Sequence, residues 1–268
     1  MKTNEPPLDV AILFTATVQI NSGLAGVTAP DPRLREEEYA ENLRYFLREH
    51  PRLRKLVFAE NSGWPLDRLS ALAAAENPHG KEVEMVQLSC NDFPGSYGKG
   101  YGEALLLDRA LSASRLVHET RWIAKMTGRQ RVLNMTRLLE RAPARFDLLC
   151  DLRDHGLFER FGIPAAGRWC DTRFFVFTLP FFNTFLRHLY KAPRRAGVEY
   201  NLEGSYYHAV KSLERDPRGH LQIVPRFPIE PRYRGHAGHW HKDYGSLRQR
   251  IKQSVRAVAR QLLPGVRF

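Results

Sequence analysis

The sequence is poor in the features that mark several protein classes. It carries only three cysteines, Cys90, Cys150 and Cys170, and their odd number and spacing fit neither a disulfide framework nor a zinc-ligand set. Their apolar neighbours imply buried thiols in a reducing compartment, so the protein is read as cytoplasmic. No apolar run approaches the roughly 18 residues of a membrane span. Residues 1–8 are polar and proline-bearing, without the apolar core of a signal peptide. Internal repeats, low-complexity segments and linkers are also lacking, and a single domain over 1–268 is expected.

A hydrophobic content of 43% with interspersed charge fits a folded domain. The 41 Lys and Arg against 29 Asp and Glu give a formal charge of +12. Such a surface attracts nucleic acid, anionic lipid or polyanionic substrates such as nucleotide sugars, and charge alone does not choose among them. The basic residues are spread over many elements with no helix-turn-helix or RNA-binding signature. Nucleic acid is therefore not expected as a partner, and a basic nucleic-acid-binding module is kept as the alternative of a different class.

Apolar runs predict strands over 9–18, 55–59, 83–88, 122–124 and 146–150. Between them lie predicted helices starting at Pro32 and covering 65–76, 103–114 and 134–141. In the first of these, Leu34, Tyr39, Leu43, Phe46 and Leu47 form the apolar stripe. This alternation implies an α/β fold with a doubly wound, mostly parallel central sheet flanked by helices. Beyond about 155 the pattern is irregular: a strand over 171–178, an apolar helix over 181–190, a helix over 201–214, a strand over 220–225, and a last helix over 246–263. The phenylalanines Phe174, Phe175, Phe177, Phe181, Phe182 and Phe185 are read as core.

In such a sheet, ligands sit outside the carboxyl ends of the strands. Polar groups at those ends are Thr15 and Thr17, Asn61 and Ser62, Lys99 and Gly100 in a glycine-rich loop over 91–102, and Lys125 with Thr127, Gly128 and Arg129. Lys and Arg offer fixed positive charge, and glycine lets backbone approach a phosphate. The plainer reading of Asn61-Ser62 is a cap on the next helix.

Lys125-Met-Thr-Gly-Arg129, preceded by Gly98-Lys-Gly-Tyr-Gly-Glu103 and Glu60-Asn-Ser-Gly63, resembles a group of bacterial capsule and cell-surface polysaccharide glycosyltransferases. These are similar to the nucleotide-diphospho-sugar (GT-A) superfamily, and the resemblance spans roughly residues 9–245. It implies a GT-A-like fold, with a donor-nucleotide half over about 9–155 and an acceptor half over about 156–268. It also implies a nucleotide sugar as donor and a glycan or lipid-linked glycan as acceptor. Lys99, Lys125 and Arg129 would then lie toward the phosphates and sugar, with Lys125 and Arg129 stabilising the leaving group. Lys125-Met126-Thr127 stands where an Asp-x-Asp would hold a divalent metal, which weighs against a metal requirement.

Inverting transfer needs a carboxylate base near the acceptor hydroxyl, and Glu203, starting a helix after the sheet, matches that place in the resemblance. A glutamate there also suits the helix dipole. Asp151-Leu-Arg153-Asp154 closes a strand with an arginine between its acids, so acceptor binding or a structural Asp–Arg pair is expected rather than a metal. The segment Arg232-Tyr-Arg234-Gly-His236-Ala-Gly-His239-Trp-His241 is read as a basic lid over the leaving phosphate, through Arg234, His236 and His239. Zinc is the alternative for its histidines. The last helix carries Leu247, Ile251, Val255, Val258 and Leu262 on one stripe. Packing of that stripe on its own domain is preferred over a peripheral contact with an anionic membrane. A sugar nucleotidyltransferase is the alternative enzyme.

Overall fold

Seven consecutive buried residues form the first strand, β1 (Val10–Ala16), and burial on both faces marks it as central. The computed structural model describes residues 6–20, 31–154, 168–192, 198–214, 220–237, 242–243, 246–263 and 265–267. Helix α1 (Pro32–Arg48) begins with Pro32 and is capped by Asp31, which accepts from the Arg33 amide at 2.8 Å. Tyr39, Leu43, Phe46 and Leu47 face the core as expected, but Leu34 is 64% exposed. Arg35 takes the inward place in that turn and donates to the Thr17 carbonyl.

Strand β2 (Lys55–Glu60), helix α2 (Asp67–Ala75) and strand β3 (Glu82–Gln87) extend the sheet to one side of β1, all in parallel. Helix α3 (Gly98–Ala113) starts at Gly98 rather than at Glu103. A Cβ at Gly100 would stand 2.5 Å from the Tyr200 carbonyl oxygen, and one at Gly102 2.5 Å from the Phe93 ring. These glycines are therefore helical positions kept bare for close packing rather than parts of a loop.

Strand β4 (Trp122–Thr127) runs past the expected end at Ala124 and pairs with the other side of β1, Lys125 facing Leu13 in register. A turn through Gly128 leads to β5 (Gln130–Val132) and α4 (Met135–Glu140). Then come β6 (Leu148–Leu149), β7 (Leu152–Asp154), β8 (Arg168–Cys170) and β9 (Phe174–Phe177). Strand β9 inserts between β4 and β6, antiparallel to both.

The apolar helix expected over 181–190 is broken. Helix α5 (Leu179–Phe181) passes into a π-helical turn over Phe182–Leu186, and His188 adopts a left-handed φ of 64°. Asp108 on α3 accounts for the break. It accepts from Tyr190 Oη at 2.9 Å, faces His188 Nδ1 at 2.9 Å and pairs with Arg187. Helix α6 (Leu202–Glu214) follows, and β10 (Ile223–Val224) joins β6 in parallel. The seven-stranded order is β10-β6-β9-β4-β1-β2-β3. Strands β11 (Tyr233–Ala237) and β12 (Lys242–Asp243) form an antiparallel sheet with β5, β7 pairs with β8, and α7 (Leu247–Leu262) follows.

Strand alternation divides the core between the two faces of the sheet. Ile12, Phe14 and Phe58 pack with α1, where Phe14 meets Phe46 edge-on at 5.0 Å. Leu13, Val57 and Ile123 pack with α3 and α6, where Phe175 meets Tyr206 edge-on at 5.8 Å. Phe174, Phe175, Phe177, Phe181 and Phe182 are buried, with Phe185 packed beside them. Cys150 and Cys170 are buried thiols as expected, whereas Cys90 is only half-buried.

Helix α7 reverses the expected packing. Its apolar stripe faces outward, with Leu247 70%, Val255 61% and Leu262 73% exposed. Its inward face carries Arg260, buried and bonded to both carboxylate oxygens of Asp151 at 2.9 and 2.8 Å and to Glu230 at 2.9 Å. Arg256 reaches the same two acids. Asp151 thus forms a structural Asp–Arg pair, with an arginine far along the chain rather than with Arg153. Removing one partner of a buried ion pair strands the other charge, at a cost of about 3–5 kcal/mol. Arg260→Met is expected to lower unfolding stability by that amount in urea titrations; a change within experimental error would show that the network does not hold α7.

Candidate functional site

The chain builds β1, β2 and β3 to one side and then crosses to place β4 on the other side of β1. At such a reversal the flanking connections leave in opposite directions and a crevice opens outside the strand ends. A cleft of about 730 Å³ lies there, lined by Thr15, Thr17, Asn61 and Thr127 from the ends of three strands. Lys99, Gly100, Arg129 and Glu203 line it too. Ser62, Lys125, Gly128 and Arg234 do not.

Each displaced candidate has a local reason. Glu60, fully buried, accepts from the backbone amides of Val18 at 2.9 Å, Ser62 at 2.9 Å and Trp64 at 3.1 Å, and so ties the loops after β1 and β2 together. The Ser62 hydroxyl donates to the same carboxylate and accepts from the Gln19 amide at 3.1 Å. It therefore neither faces a ligand nor caps α2, whose cap position is Leu66. A Cβ at Gly128 would meet the Thr15 carbonyl oxygen at 2.8 Å and the Tyr39 ring at 2.9 Å, so the missing side chain serves close strand packing. Arg234 is exposed on β11.

Lys125 departs furthest from expectation. It is 0% exposed, beneath the cleft. Its ammonium donates to Glu103, to the Thr172 carbonyl at 2.6 Å and to Thr127 Oγ1 at 3.3 Å. It cannot touch a phosphate from there; its charge supports Glu103, which lines the cleft and to which the sequence reading, though quoting it in a motif, gave no site role. An acid on a helix starting next to the strand-end Lys was the signal available.

The cleft walls are cationic, with seven Lys and Arg side chains against four Glu. Arg35 donates through Nε and Nη2 to the Thr17 carbonyl at 2.9 and 2.6 Å. Burial lowers the Arg35 pKa, and the neighbouring Arg129 adds to that, against the opposing effect of Tyr39. Arg129 pairs with Glu38 at 2.7 Å. On the opposite wall Arg153 lies 4.5 Å over the Trp169 ring, its pKa pushed down to about 10 by burial and by Arg256. Arg173 stacks 4.2 Å over Tyr233. Like charges crowded in a partly dry cleft favour an anion between them.

Two buried amides point to a ligand with hydrogen-bond donors. Asn61 is 2% exposed and Gln130 4% exposed, both line the cleft, and neither side-chain oxygen has a hydrogen-bond partner among the described residues. An unsatisfied buried acceptor costs about 1–3 kcal/mol, which a ligand N–H or O–H would recover.

Glu203 sits in the first turn of α6 and lines the cleft. Burial raises its pKa, the nearby Glu103 carboxylate raises it further, and Lys99 and Lys125 oppose. A carboxylate with raised proton affinity is suited to accept a proton from a hydroxyl.

Asp154 is engaged by Tyr207 Oη at 2.8 Å and by Lys211 at 2.7 Å. Strand β11 zips onto β5, and Gly235, at a φ of +107°, comes so near that a Cβ would stand 2.3 Å from the Arg129 carbonyl oxygen. His236 has its backbone in β11; its side chain, together with His239 and His241, lies outside the described residues. Among the described residues no group of three His, Cys, Asp or Glu converges as a metal ligand set. The donor set at the end of β4 does not fit a hard cation either, since Lys125 stands there with Thr127.

No protein-family model and no curated protein matches the chain. Among solved structures it is similar to a cytidylyltransferase from Leptospira borgpetersenii, at 14% identity over 81% of this chain and 74% of that one, TM-score 0.37. It is also similar to a putative nucleotide-diphospho-sugar transferase from Desulfovibrio desulfuricans, at 11% identity over 81% and 79%, TM-score 0.41. A third is the Mn/GDP form of core-mannan synthase A from Aspergillus fumigatus, at 8% identity over 78% and 71%, TM-score 0.46. None of these reaches a TM-score of 0.5, and the α/β fold class rests on the sheet order and register of this chain.

The raised pKa of Glu203 has a consequence for stability. The folded state holds its proton more tightly than the unfolded chain, so ionisation weakens folding as pH rises from the unfolded pKa through the folded one. Glu203→Gln removes that loss. The variant is expected to melt above the wild type at pH 7 and close to it at pH 4; equal melting temperatures at both would show that the carboxyl is not strained in the folded state.

Proposed function

We propose that the protein is a glycosyltransferase that moves a sugar from a nucleotide-activated donor to a glycan acceptor. The observation that carries this reading is the pairing, in one strand-end cleft, of a cationic wall with Glu203, a half-buried carboxylate of raised proton affinity. The unpartnered Asn61 oxygen at the end of β2 is placed to accept from a base or ribose. Arg129 and Arg35 face the diphosphate, with Lys99 at the mouth. Lys125 acts at one remove, holding Glu103 in place.

The reaction is a single displacement with inversion. Glu203 takes the proton from the acceptor hydroxyl, the acceptor oxygen bonds to the anomeric carbon, and the bond from that carbon to the phosphate oxygen breaks. The electron pair leaves on the nucleoside phosphate, where preorganised guanidinium groups stabilise the developing charge. No step runs through a metal. A surface polysaccharide or lipid-linked glycan as the acceptor follows from the motif resemblance around Lys125–Arg129.

Thermal shift with CMP, UDP, GDP and dTDP, each with and without manganese, identifies the donor class. A ligand at about a hundred times its Kd stabilises by roughly 2.7 kcal/mol, a shift of several degrees. With the stabilising nucleotide's sugar and an acceptor glycan, Glu203→Gln should lose about 10²–10⁴-fold in transfer while keeping the nucleotide shift. Arg129→Ala should weaken the shift itself. Nucleotidyl transfer from a nucleoside triphosphate to a sugar phosphate, with no glycosyl transfer, would replace this reading with that of a nucleotidyltransferase. The absence of any nucleotide shift would remove both.

A further inference from the structure

We propose that α7 is an interfacial helix whose outward face docks on an anionic membrane surface. Leu247, Ile251, Val255, Val258 and Leu262 are 70%, 56%, 61%, 55% and 73% exposed. Spaced three and four apart, they form one continuous apolar stripe along the helix. Stripes of this kind on a folded chain mark a docking surface. The helix cannot roll over to bury its stripe, because its other face is fastened by Arg260 and Arg256 to Asp151 and Glu230.

Charge identifies the occupant. Arg248, Arg250 and Lys252 are exposed and border the stripe, and residues 246–263 contain no Asp or Glu. The whole chain carries +12. An apolar face rimmed by cations is complementary to a bilayer with anionic headgroups, where the stripe enters the acyl boundary and each nearby basic residue adds attraction. A second copy meeting this face about a twofold axis would instead press one cationic rim against another. At 16 residues the helix is too short and too charged to cross a bilayer, and among the described residues no helix is long and apolar enough to do so. It lies along the surface.

The opposite face of α7 lines the cleft through Gln249, Gln253 and Arg256. Docking therefore leaves one helix diameter, roughly 10 Å, between the headgroups and the cleft. On the reading of the cleft as a glycosyl-transfer site, a lipid-linked acceptor enters from that side; the docking itself does not depend on that reading.

The test is co-sedimentation of the full chain with phosphatidylcholine vesicles and with vesicles containing ~30% phosphatidylglycerol, at low and high salt. Binding is expected to the anionic vesicles only, weakening as salt rises. The double variant Ile251→Asp, Val255→Asp should bind about tenfold or more weakly, with an unchanged melting temperature and an unchanged thermal response to nucleotide. Absence of binding to anionic vesicles, or equal binding by the double variant, would overturn the proposal. So would a wild-type dimer in light scattering that binds no vesicles and that the double variant disperses, since a second copy would then cover the stripe. Loss of the nucleotide response alone bears on the glycosyl-transfer reading and leaves the docking result standing.

Discussion

A single buried ammonium group fixes the floor of the cleft. Lys125 sits in the middle of the central sheet with no exposure to water, and a charge in that position is tolerated only with partners on several sides. Glu103 comes from α3, the Thr172 carbonyl from the turn before β9, and the Thr127 hydroxyl from β4 itself. The requirement to neutralise one cation thus draws together both halves of the chain. Glu103 is held in the second turn of α3, whose bare Gly100 lies against the Tyr200 carbonyl just before α6 begins. Glu203 stands in the first turn of α6, so its distance from the strand ends follows from an ion pair it does not join. Its proton affinity is raised mainly by burial, and the same pair adjusts it, Glu103 adding to the rise and Lys125 opposing it.

A second ionic constraint decides which way α7 faces. Burying its five apolar side chains would contribute about 1.5–3 kcal/mol each where an apolar partner surface exists. The surface beneath the helix instead presents Asp151 and Glu230, 3% and 6% exposed. Two buried carboxylates without cations cost several kcal/mol each, so the arginine face turns inward and the apolar face is left outside. This is a local conflict between two good interfaces on one helix, and the folded chain leaves the outer one exposed. The proposed lipid surface would cover it without disturbing the inner face.

The strand pattern was legible because a strand buried on both faces is a continuous apolar run, as in β1 and the middle of β2, whereas Lys125 hid the second half of β4. The strand-end polar residues were legible for the same reason, since the rule that places ligands at carboxyl ends needs only the strand boundaries. Thr15, Thr17, Asn61 and Thr127 do meet at one cleft. What the sequence hid was the partner of each charge. Periodicity treats every arginine as a surface residue, so Arg35, Arg173 and Arg256 passed unmarked although all three line the cleft. Partial signals existed: Arg35 precedes Tyr39 by one helical turn on the buried side of α1, and Arg256 and Arg260 lie one turn apart on a helix with no acid to pair them. The glycines of α3 misled in the opposite direction, because a residue chosen for close packing looks the same in sequence as one chosen for a loop.

The cleft gathers several groups whose local rules are not satisfied. Asn61 and Gln130 keep acceptors without donors, Arg35 and Arg153 are held below their ordinary pKa by burial among other cations, and Glu203 is held above its own. The buried acids Glu60, Asp108 and Asp151, by contrast, are bonded several times over. Folded chains concentrate such departures where a ligand completes them. The departures in the cleft call for donors at the end of β2 and the start of β5, an anion beside Arg35 and Arg129, and a proton near Glu203. A ligand answering all three has a hydrogen-bonding head, a charged middle and a reacting end close to a hydroxyl. A nucleotide-activated sugar beside its acceptor has these parts.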